Sequence, residues 1–313
     1  MHMSQELSLK GRDVLALEDF SAEEIRLILN TAREMKNIVG RDIKKVPALR
    51  GKAIVTLFYE PSTRTRTSFE LAGKYLGADV VNITASASSV VKGESLRDTL
   101  YTIEAMGTDA IVMRHKAEGA AAYAADAVSP VIINAGDGAH AHPSQGLLNL
   151  YTIEENKGKL AGLKVAILGD VLHSRVARSD IQGMRKMGMD VHIAGPRPLL
   201  PRFLHEEGIT IHDRIEDAVE GADVIEVLRI QLERMKGGLF PSTREYARIY
   251  GLNEERLALA NDALVLHPGP MNKGWEISES VAYGVQSRIQ EEVKNGVAIR
   301  MALFTLVLMG GKA

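Results

Sequence analysis

The residues best suited to chemistry are the hydroxyl and guanidinium side chains of the stretch Ser62-Thr-Arg-Thr-Arg-Thr-Ser68. The stretch follows the apolar run Ala53–Phe58, which predicts a buried strand, and precedes apolar residues on helical spacing up to Leu76. A turn from strand to helix directs backbone N–H groups and the positive end of the helix dipole toward one point. Hydroxyl donors and two guanidinium forks at that point favour a phosphate site. A capped helix start with solvated arginines is the alternative.

A second group of candidate residues lies in the segment 134–145, where a Gly-Asp-Gly turn (136–138) precedes two histidines. His142 stands just before Pro143, and proline is typical of the first position of a helix. The helix dipole there favours a neutral imidazole, which can donate to a substrate carbonyl. A histidine that only caps the helix is the alternative. His140 and His142 do not predict a metal site, because no third ligand is near and the spacing suits a strand.

Arginines follow several other predicted strands. Arg114 ends one strand, Arg175 follows the strand that ends before Gly169, and Arg229 and Gln231 follow another. A dinucleotide fingerprint would begin at Gly169, but the other glycines of that motif are missing, and an arginine there suits a carboxylate instead. Taken singly, each of these arginines could also be a solvated or salt-bridged surface residue.

Two loops complete the set of candidates. The loop 86–94 is polar and rich in small residues, carries Ser88 and Lys92, and taken alone is typical of a flexible surface loop. The segment 267–272 contains two prolines, which fix the backbone and remove N–H donors. The carbonyl oxygens of Gly269 and Pro270 are therefore left to face a ligand.

Strands alternate with helices along the chain in two sets, which predicts an α/β protein of two domains, each a parallel sheet flanked by helices. In such sheets ligands bind at the carboxyl ends of the strands, where all the candidate segments above lie. The predicted strands are Ala53–Phe58, Asp79–Ile83, Ala110–Met113, Val131–Asn134, Lys164–Leu168, Asp190–Ala194, Thr210–His212, Val224–Glu226 and Ala263–Leu266. The predicted helices are Ser21–Ile38, Thr67–Leu76, Ser95–Met106, Ala117–Ala127, Tyr151–Asn156, Arg175–Met187, Ile215–Val219 and Val297–Met309.

Composition narrows the class of protein. The 313 residues are 45% hydrophobic and 25% charged, which indicates a globular protein of two ordinary domains. A net charge of −2 does not favour nucleic acid as a partner, and without cysteine neither disulfides nor cysteine-ligated metals are expected. Neither a signal peptide nor a membrane span is predicted, so we expect a cytoplasmic location with no membrane partner.

Taken together and in order, these segments resemble the catalytic chains of aspartate carbamoyltransferases, in the aspartate/ornithine carbamoyltransferase superfamily, over nearly the whole chain. Ser62-Thr-Arg-Thr65 is the most specific motif. Lys92-Gly-Glu94, Val112-Met-Arg-His115, Asn134-Ala-Gly-Asp-Gly138, His142-Pro-Ser-Gln145, Arg229-x-Gln231 and His267-Pro-x-Pro270 support the resemblance.

The resemblance implies a role for each candidate residue. The phosphate of carbamoyl phosphate is held by Ser62, Thr63, Arg64, Thr65 and Arg114, and its carbonyl oxygen by Thr65, Arg114 and His142. Its amide nitrogen contacts Gln145 and the carbonyls of Gly269 and Pro270. Aspartate is held by Arg175, Arg229 and Gln231, while Ser88 and Lys92 serve a neighbouring subunit's site. Glu60 ties the domains together through Arg175 and Arg234. The implied catalytic residues are Arg64, Thr65, Lys92, Arg114 and His142.

The resemblance also implies a carbamoyl-phosphate domain (1–143 plus 293–313), an aspartate domain (144–292) and a homotrimer with shared sites. The implied reaction transfers the carbamoyl group to aspartate in pyrimidine (UMP) biosynthesis, without a cofactor or metal. Gly269 departs from members that carry a larger residue there, but only its backbone is expected to bind. A regulatory chain or a dihydroorotase partner is left open.

Other functions fit the residues less well. A nicotinamide oxidoreductase needs the missing glycine fingerprint, and a non-catalytic binding protein has no need of His142 and the full set of arginines. An ornithine carbamoyltransferase is the closer alternative, because it shares the phosphate motif. It must pair with a cationic side chain, however, and Arg229-Ile-Gln231 favours a dicarboxylate.

Overall fold

The structure, a computed structural model, describes residues 7–84, 93–205, 208–231 and 242–309. The chain forms two compact units, Met1–Leu147 with Lys294–Ala313, and Leu148–Val293. Each unit contains one sheet in which every pair of neighbouring strands is parallel. The predicted fold class is therefore confirmed. The borders of the two ligand-binding domains stay a prediction.

The first unit is a four-stranded sheet with the order β2-β1-β3-β4. Its strands are β1 (Ala53–Phe58), β2 (Asp79–Thr84), β3 (Ala110–His115) and β4 (Val131–Asp137). Its helices are α1 (Ala22–Val39), α2 (Thr63–Tyr75), α3 (Leu96–Ala105) and α4 (Ala120–Ala127). The apolar strands β1 and β4 are buried along nearly their full length, as continuous apolar runs in parallel sheets are.

The second unit is a five-stranded sheet with the order β7-β6-β5-β8-β9. Two helices, α5 (Pro143–Lys157) and α11 (Ile289–Met309), each include residues assigned to both units. The strands are β5 (Lys164–Leu168), β6 (Asp190–Ala194), β7 (Thr210–His212), β8 (Val224–Val227) and β9 (Leu264–Leu266). The remaining helices are α6 (Arg175–Lys186), α7 (Ile215–Val219), α8 (Thr243–Tyr250), α9 (Glu254–Leu257) and α10 (Glu279–Ala282).

The first long helix begins where its sequence predicts. The Ser21 hydroxyl accepts a hydrogen bond from the Glu24 backbone N–H at 3.2 Å, and the Glu24 carboxylate accepts one from the Ser21 N–H at 2.7 Å. This reciprocal capping box satisfies two N–H groups that would otherwise lack an intrahelical partner. Ile25, Ile28 and Leu29 then form the buried face of α1.

The predicted start of α2 at Thr67 is wrong, because the helix begins four residues earlier, at Thr63. The reason lies in its buried face, which starts with Thr65 and Ser68 before it reaches Phe69 and Ala72. These four positions have helical spacing, but the first two carry hydroxyls, so apolar periodicity does not detect them. Three residues of the phosphate motif, Thr63, Arg64 and Thr65, therefore lie within the first helical turn.

The predicted starts of α5 and α11 are also wrong, each by eight residues: α5 begins at Pro143 and not at Tyr151, and α11 begins at Ile289 and not at Val297. The first turns of both helices contain several polar residues, so apolar runs place their starts too late.

α4 begins at Ala120 and not at Ala117, because Gly119 precedes it in a left-handed conformation that no helix continues. α5 begins at Pro143, which confirms the proline as a first helical residue. Among the described helices, none is long and apolar enough to cross a membrane.

Candidate active site

Three neighbouring strands of the first unit end at one edge of its sheet. β3 lies between β1 and β4, and all three are parallel, so their carboxyl ends are adjacent. The segment from Glu60 to Thr65 follows β1, Arg114 lies near the end of β3, and the segment 136–145 begins at the end of β4. The topology thus brings together the candidate phosphate and carbonyl ligands of this unit.

The start of α2 has the features of an anion site. Ser62 occupies the N-cap position in an extended conformation, and its side chain makes no capping hydrogen bond within the described structure. The first turn of α2 contains no acidic residue that would offset the helix dipole. Thr65 is buried, whereas Thr63 and Arg64 are exposed. Backbone N–H groups, hydroxyls and dipole at this helix start all favour a bound anion.

Arg114 is held at the same edge by groups from the two neighbouring strands. Its Nε lies 3.2 Å from Oε2 of Glu60, and its Nη1 lies 3.5 Å from the carbonyl oxygen of Ala135. The Arg114 side chain is 16% exposed and that of Glu60 22%, so water screens this ion pair only in part. The guanidinium is oriented before any phosphate binds, but a carboxylate competes for it.

Asp137 organises the turn that leads to His142, a role that the sequence did not reveal. Its carboxylate is buried and accepts hydrogen bonds from the Gly119 N–H at 2.8 Å and the Ala141 N–H at 3.1 Å. It also accepts one from Asn134 Nδ2 at 2.8 Å and lies 3.0 Å from His140 Nδ1. The Gly-Asp-Gly triplet was the available signal, but it indicated only a turn.

The same turn requires glycine at position 138. Gly138 has a φ of +49°, and a Cβ placed there would lie 2.4 Å from Cγ of Glu118 and 2.9 Å from its backbone nitrogen. A flexible side chain can yield, but the backbone nitrogen cannot move without displacing the loop before α4. This glycine therefore lets the chain turn sharply toward α5.

His142 and Gln145 lie at the start of α5, as the sequence predicts. His142 precedes the first helical residue, and its carbonyl oxygen accepts a hydrogen bond from the Gln145 N–H at 2.9 Å. Both side chains are buried, His142 with 3% exposure and Gln145 with 8%. Both side chains lie at the same edge of the first sheet as Arg114, and their burial restricts their orientations.

In the second unit Arg175 is the first residue of α6 and is 4% exposed. The turn before it is fixed by Asp170, whose buried Oδ1 lies 2.9 Å from His173 Nδ1 and accepts a hydrogen bond from the His173 N–H. The Ser174 hydroxyl then caps the helix by accepting from the Ala177 N–H at 3.1 Å. The arginine that the sequence predicts to bind a carboxylate thus lies on a helix start that is fixed by hydrogen bonds.

The same aspartate–histidine contact precedes a predicted ligand in each of the two units. In each, a buried aspartate contacts the histidine three residues later, and the predicted ligand follows that histidine by two residues. The pairs are Asp137–His140 before His142 and Asp170–His173 before Arg175. Sequence reasoning missed the repetition, although the spacing Asp-x-x-His-x-ligand is visible in both segments.

β5, β8 and β9 are neighbours in the second sheet, so the segments that follow them share one edge. Arg175 follows β5, Arg229 and Gln231 follow β8, and Gly269 follows β9. Arg229 and Gln231 are half-buried. Two arginines at the ends of adjacent strands suit a ligand with two carboxylates.

The segment that carries Gly269 and Pro270 is anchored by His267. The Gly269 N–H donates to His267 Nδ1 at 2.8 Å, so Nε2 carries the proton and donates to Oε1 of Glu276 at 3.2 Å. The Glu276 carboxylate also accepts from the Asn272 N–H, which closes the loop. Glu276 was not a sequence candidate, because it lies beyond the motif.

Three predicted site residues, Ser88, Lys92 and Arg234, lie outside the described residues. The structure brings Glu60, the α2 start, Arg114, His142 and Gln145 to one edge of the first sheet. It brings Arg175, Arg229, Gln231, Gly269 and Pro270 to one edge of the second. Among the residues described, no cluster of three or more His, Cys, Asp and Glu could hold a metal ion.

A helix start suited to an anion in the first unit and two arginines suited to carboxylates in the second are the features expected of an enzyme that acts on a phosphorylated and a carboxylate substrate. The family model described as the aspartate/ornithine carbamoyltransferase carbamoyl-P binding domain matches residues 12–155. The model of the Asp/Orn binding domain matches residues 161–307. The chain belongs to the aspartate/ornithine carbamoyltransferase family.

The chain is similar to individual carbamoyltransferases in both sequence and structure. The chain is 60% identical to the aspartate carbamoyltransferase catalytic subunit of Desulforamulus reducens, over 96% of each protein. It is similar to aspartate transcarbamoylase from Trypanosoma cruzi in complex with carbamoyl phosphate, with a TM-score of 0.88 and 29% identity over 96% of this chain and 97% of that one. Ornithine carbamoyltransferase from Pyrococcus furiosus is nearly as similar in structure, with a TM-score of 0.86 and 30% identity over 98% and 100%. The fold therefore does not distinguish the acceptor.

Proposed function

We propose that the protein is an aspartate carbamoyltransferase, which transfers the carbamoyl group of carbamoyl phosphate to the amino group of L-aspartate. The observation that carries the proposal is the pair Arg175 and Arg229 at the ends of adjacent strands β5 and β8. Two guanidinium groups match the two carboxylates of aspartate, whereas they would repel the cationic side chain of ornithine. The identity to aspartate-specific relatives supports the same acceptor.

Most of the proposed ligands of carbamoyl phosphate belong to the first unit. The α2 start, with Ser62, Thr63, Arg64 and Thr65, holds the phosphate together with Arg114. Thr65, Arg114 and His142 donate to the carbonyl oxygen, and Gln145 binds the amide with the carbonyls of Gly269 and Pro270. The burial of Thr65, His142 and Gln145 supports these roles, because preorganised donors cost no reorganisation during the reaction.

The reaction is a direct displacement. The neutral amine of aspartate attacks the carbamoyl carbon, and negative charge collects on the carbonyl oxygen. The bond from carbon to the phosphate oxygen then breaks, and the leaving phosphate accepts the proton that the amine loses. Each donor to the developing oxyanion contributes on the order of 3 kcal/mol. Holding both substrates together contributes further by removing translational freedom.

The acceptor assignment is tested with aspartate and ornithine assayed side by side. Wild-type protein should release phosphate with aspartate and not with ornithine. Arg229→Ala should raise the KM for aspartate about 100-fold, because a charge-assisted contact is lost, and leave the KM for carbamoyl phosphate nearly unchanged. Arg197→Ala is the matched control, since Arg197 is an exposed arginine of the same unit that pairs with Asp213. Turnover of ornithine without turnover of aspartate would refute the proposal.

The biological setting follows from the reaction. Carbamoyl aspartate formation serves pyrimidine biosynthesis, and we place the protein in the cytoplasm as a homotrimer. Ser88 and Lys92 then complete the site of a neighbouring subunit, and Arg234 joins Arg175 and Glu60 in domain closure. A regulatory chain or a dihydroorotase is the class of protein partner consistent with this role.

A further inference from the structure

Arg300 is a buried cation within an otherwise apolar stretch of α11. Its exposed fraction is 3%, and among the described residues no carboxylate lies within ion-pair distance of it. Its guanidinium Nη2 donates to the Ser144 hydroxyl at 3.4 Å, and its Cζ lies 4.9 Å from the centre of the Phe69 ring. Its buried Nε has no hydrogen-bond partner within the described structure.

This arrangement is unfavourable for the protein alone. Burying a charge is costly unless an opposite charge and hydrogen bonds compensate it, and a neutral hydroxyl and an aromatic ring compensate it only in part. Burial and the nearby charge of Arg114 lower the pKa of Arg300 to about 9, so it still carries its charge at neutral pH. Arg114 and Arg300 therefore lie close enough for their positive charges to repel each other.

The neighbours of Arg300 lie on the elements that carry the proposed ligands of carbamoyl phosphate. Phe69 is in α2, whose first turn contains Thr63 and Thr65. Ser144 lies in the first turn of α5, between His142 and Gln145. Arg114, whose charge acts on Arg300, lies in β3. All these residues belong to the first unit.

We propose that Arg300 is a positioning residue for the phosphate group, a buried positive charge behind its direct ligands. Its field strengthens binding of the phosphate dianion and stabilises the leaving phosphate, and its bond to Ser144 fixes the start of α5. The protein tolerates the buried charge because the anionic substrate supplies the missing countercharge. This inference rests on the proposed function, since it requires phosphate at the α2 start.

The alternative is a purely structural role, in which Arg300 only packs on Phe69. The two roles predict opposite effects on stability. If Arg300 only packs, its replacement lowers the melting temperature of the ligand-free protein and leaves phosphate affinity unchanged. If it supplies charge, a neutral replacement leaves that melting temperature equal or higher, because a desolvated charge is removed, and phosphate affinity falls.

The test uses Arg300→Gln, which removes the charge but keeps a donor for Ser144, and Arg300→Lys, which keeps the charge. Inorganic phosphate is titrated into the full-length protein by calorimetry, and the melting temperature is measured with and without phosphate. Arg300→Gln should weaken phosphate binding about tenfold and raise the KM for carbamoyl phosphate by a similar factor. Arg300→Lys should stay within about threefold of wild type on the same basis.

Arg12→Gln is the matched control. Arg12 also lies over a phenylalanine in the first unit, 4.6 Å from the ring centre of Phe20, but it pairs with Glu24. Its replacement should lower the melting temperature and leave phosphate affinity unchanged.

Wild-type phosphate affinity in Arg300→Gln would overturn the inference, and so would an equal loss in the glutamine and lysine variants. If Arg300→Gln does not fold, the lysine variant decides alone. Phosphate affinity near that of wild type in Arg300→Lys supports a role of the charge. A loss of phosphate affinity of about tenfold or more in Arg300→Lys refutes it. If wild-type protein neither binds phosphate nor carbamoylates aspartate, the proposed function itself fails, which is a separate result.

Discussion

Arg114 Nε and Glu60 Oε2 lie 3.2 Å apart, so an arginine proposed to bind phosphate already contacts a carboxylate. The two residues are 54 positions apart in the chain and meet because β1 and β3 are neighbours. A phosphate that binds Arg114 must compete with Glu60 or displace it. A displaced Glu60 would be available for the proposed domain closure with Arg175 and Arg234.

Glu60→Gln should therefore have opposite effects on the binding of phosphate and of aspartate. Removing the competing charge should tighten inorganic phosphate binding about threefold to tenfold. If Glu60 also serves closure with Arg175 and Arg234, the KM for aspartate should rise in the same variant. Calorimetry with phosphate and steady-state kinetics with aspartate measure the two effects. Glu70→Gln is the control, because Glu70 of α2 pairs with Lys74. Weaker phosphate binding in Glu60→Gln would contradict the competition.

Asp137→Asn should disturb the turn that presents His142. The asparagine keeps the shape but replaces one acceptor oxygen by a donor, so either the Gly119 or the Ala141 N–H faces another N–H. A buried donor without an acceptor costs about 1–3 kcal/mol. We expect a lower free energy of unfolding together with a kcat reduced at least about tenfold, since one misplaced oxyanion donor costs at least that much. Asp213→Asn at the surface should change neither, and a normal kcat in Asp137→Asn would argue against the positioning role.

A pH dependence of stability is expected from two buried carboxyls of the second unit. Asn149 Nδ2 donates to Asp180 at 3.0 Å and to Glu226 at 3.1 Å. Burial raises the pKa of Glu226 to about 7, and burial together with Glu226 and Glu292 raises the pKa of Asp180. A raised pKa means that the folded state binds more protons than the unfolded state. The stabilisation from Glu226 is therefore present near pH 4.5 and lost as the pH rises through about 7.

Glu226→Gln should remove this slope, because the amide is neutral and still accepts from Asn149. The melting temperature of wild type should fall between pH 5 and pH 8 more than that of the variant, and the variant should be the more stable protein at the upper end. Glu216→Gln is the control, since Glu216 is partly exposed and paired with Arg256. Parallel pH profiles for wild type and Glu226→Gln would exclude the titration of Glu226 as the cause.

The proposed sharing of active sites between subunits can be tested with two inactive variants, Lys92→Ala and His142→Ala. When they are dissociated, mixed in equal amounts and reassociated, each site takes His142 from one chain and Lys92 from the next. About one quarter of the sites should then be intact, given a closed ring of three subunits. If Lys92 served its own subunit, every site would keep one lesion. Mixed trimers confirmed by mass, without recovered activity, would rule out sharing.

Local sequence determined the elements wherever burial and secondary structure coincide. β1 and β5 have the predicted bounds, because a buried apolar run that ends near charged or glycine residues leaves few alternative boundaries. The capping box placed the start of α1 for the same local reason. The predicted site residues likewise came from short motifs that follow strands, and the family models match both halves of the chain.

Tertiary structure decided which of these residues meet. The order β2-β1-β3-β4 brings Arg114 to Glu60, and the packing of α11 brings Arg300 to Ser144, 156 positions away. No period in the sequence encodes such contacts, because they depend on strand order and helix packing. The start of α2 was missed for a related reason, since Thr65 and Ser68 are buried by their tertiary neighbours and not by apolar character. Periodicity reports which side of an element is buried, whereas only the assembled sheet determines what each polar side chain contacts.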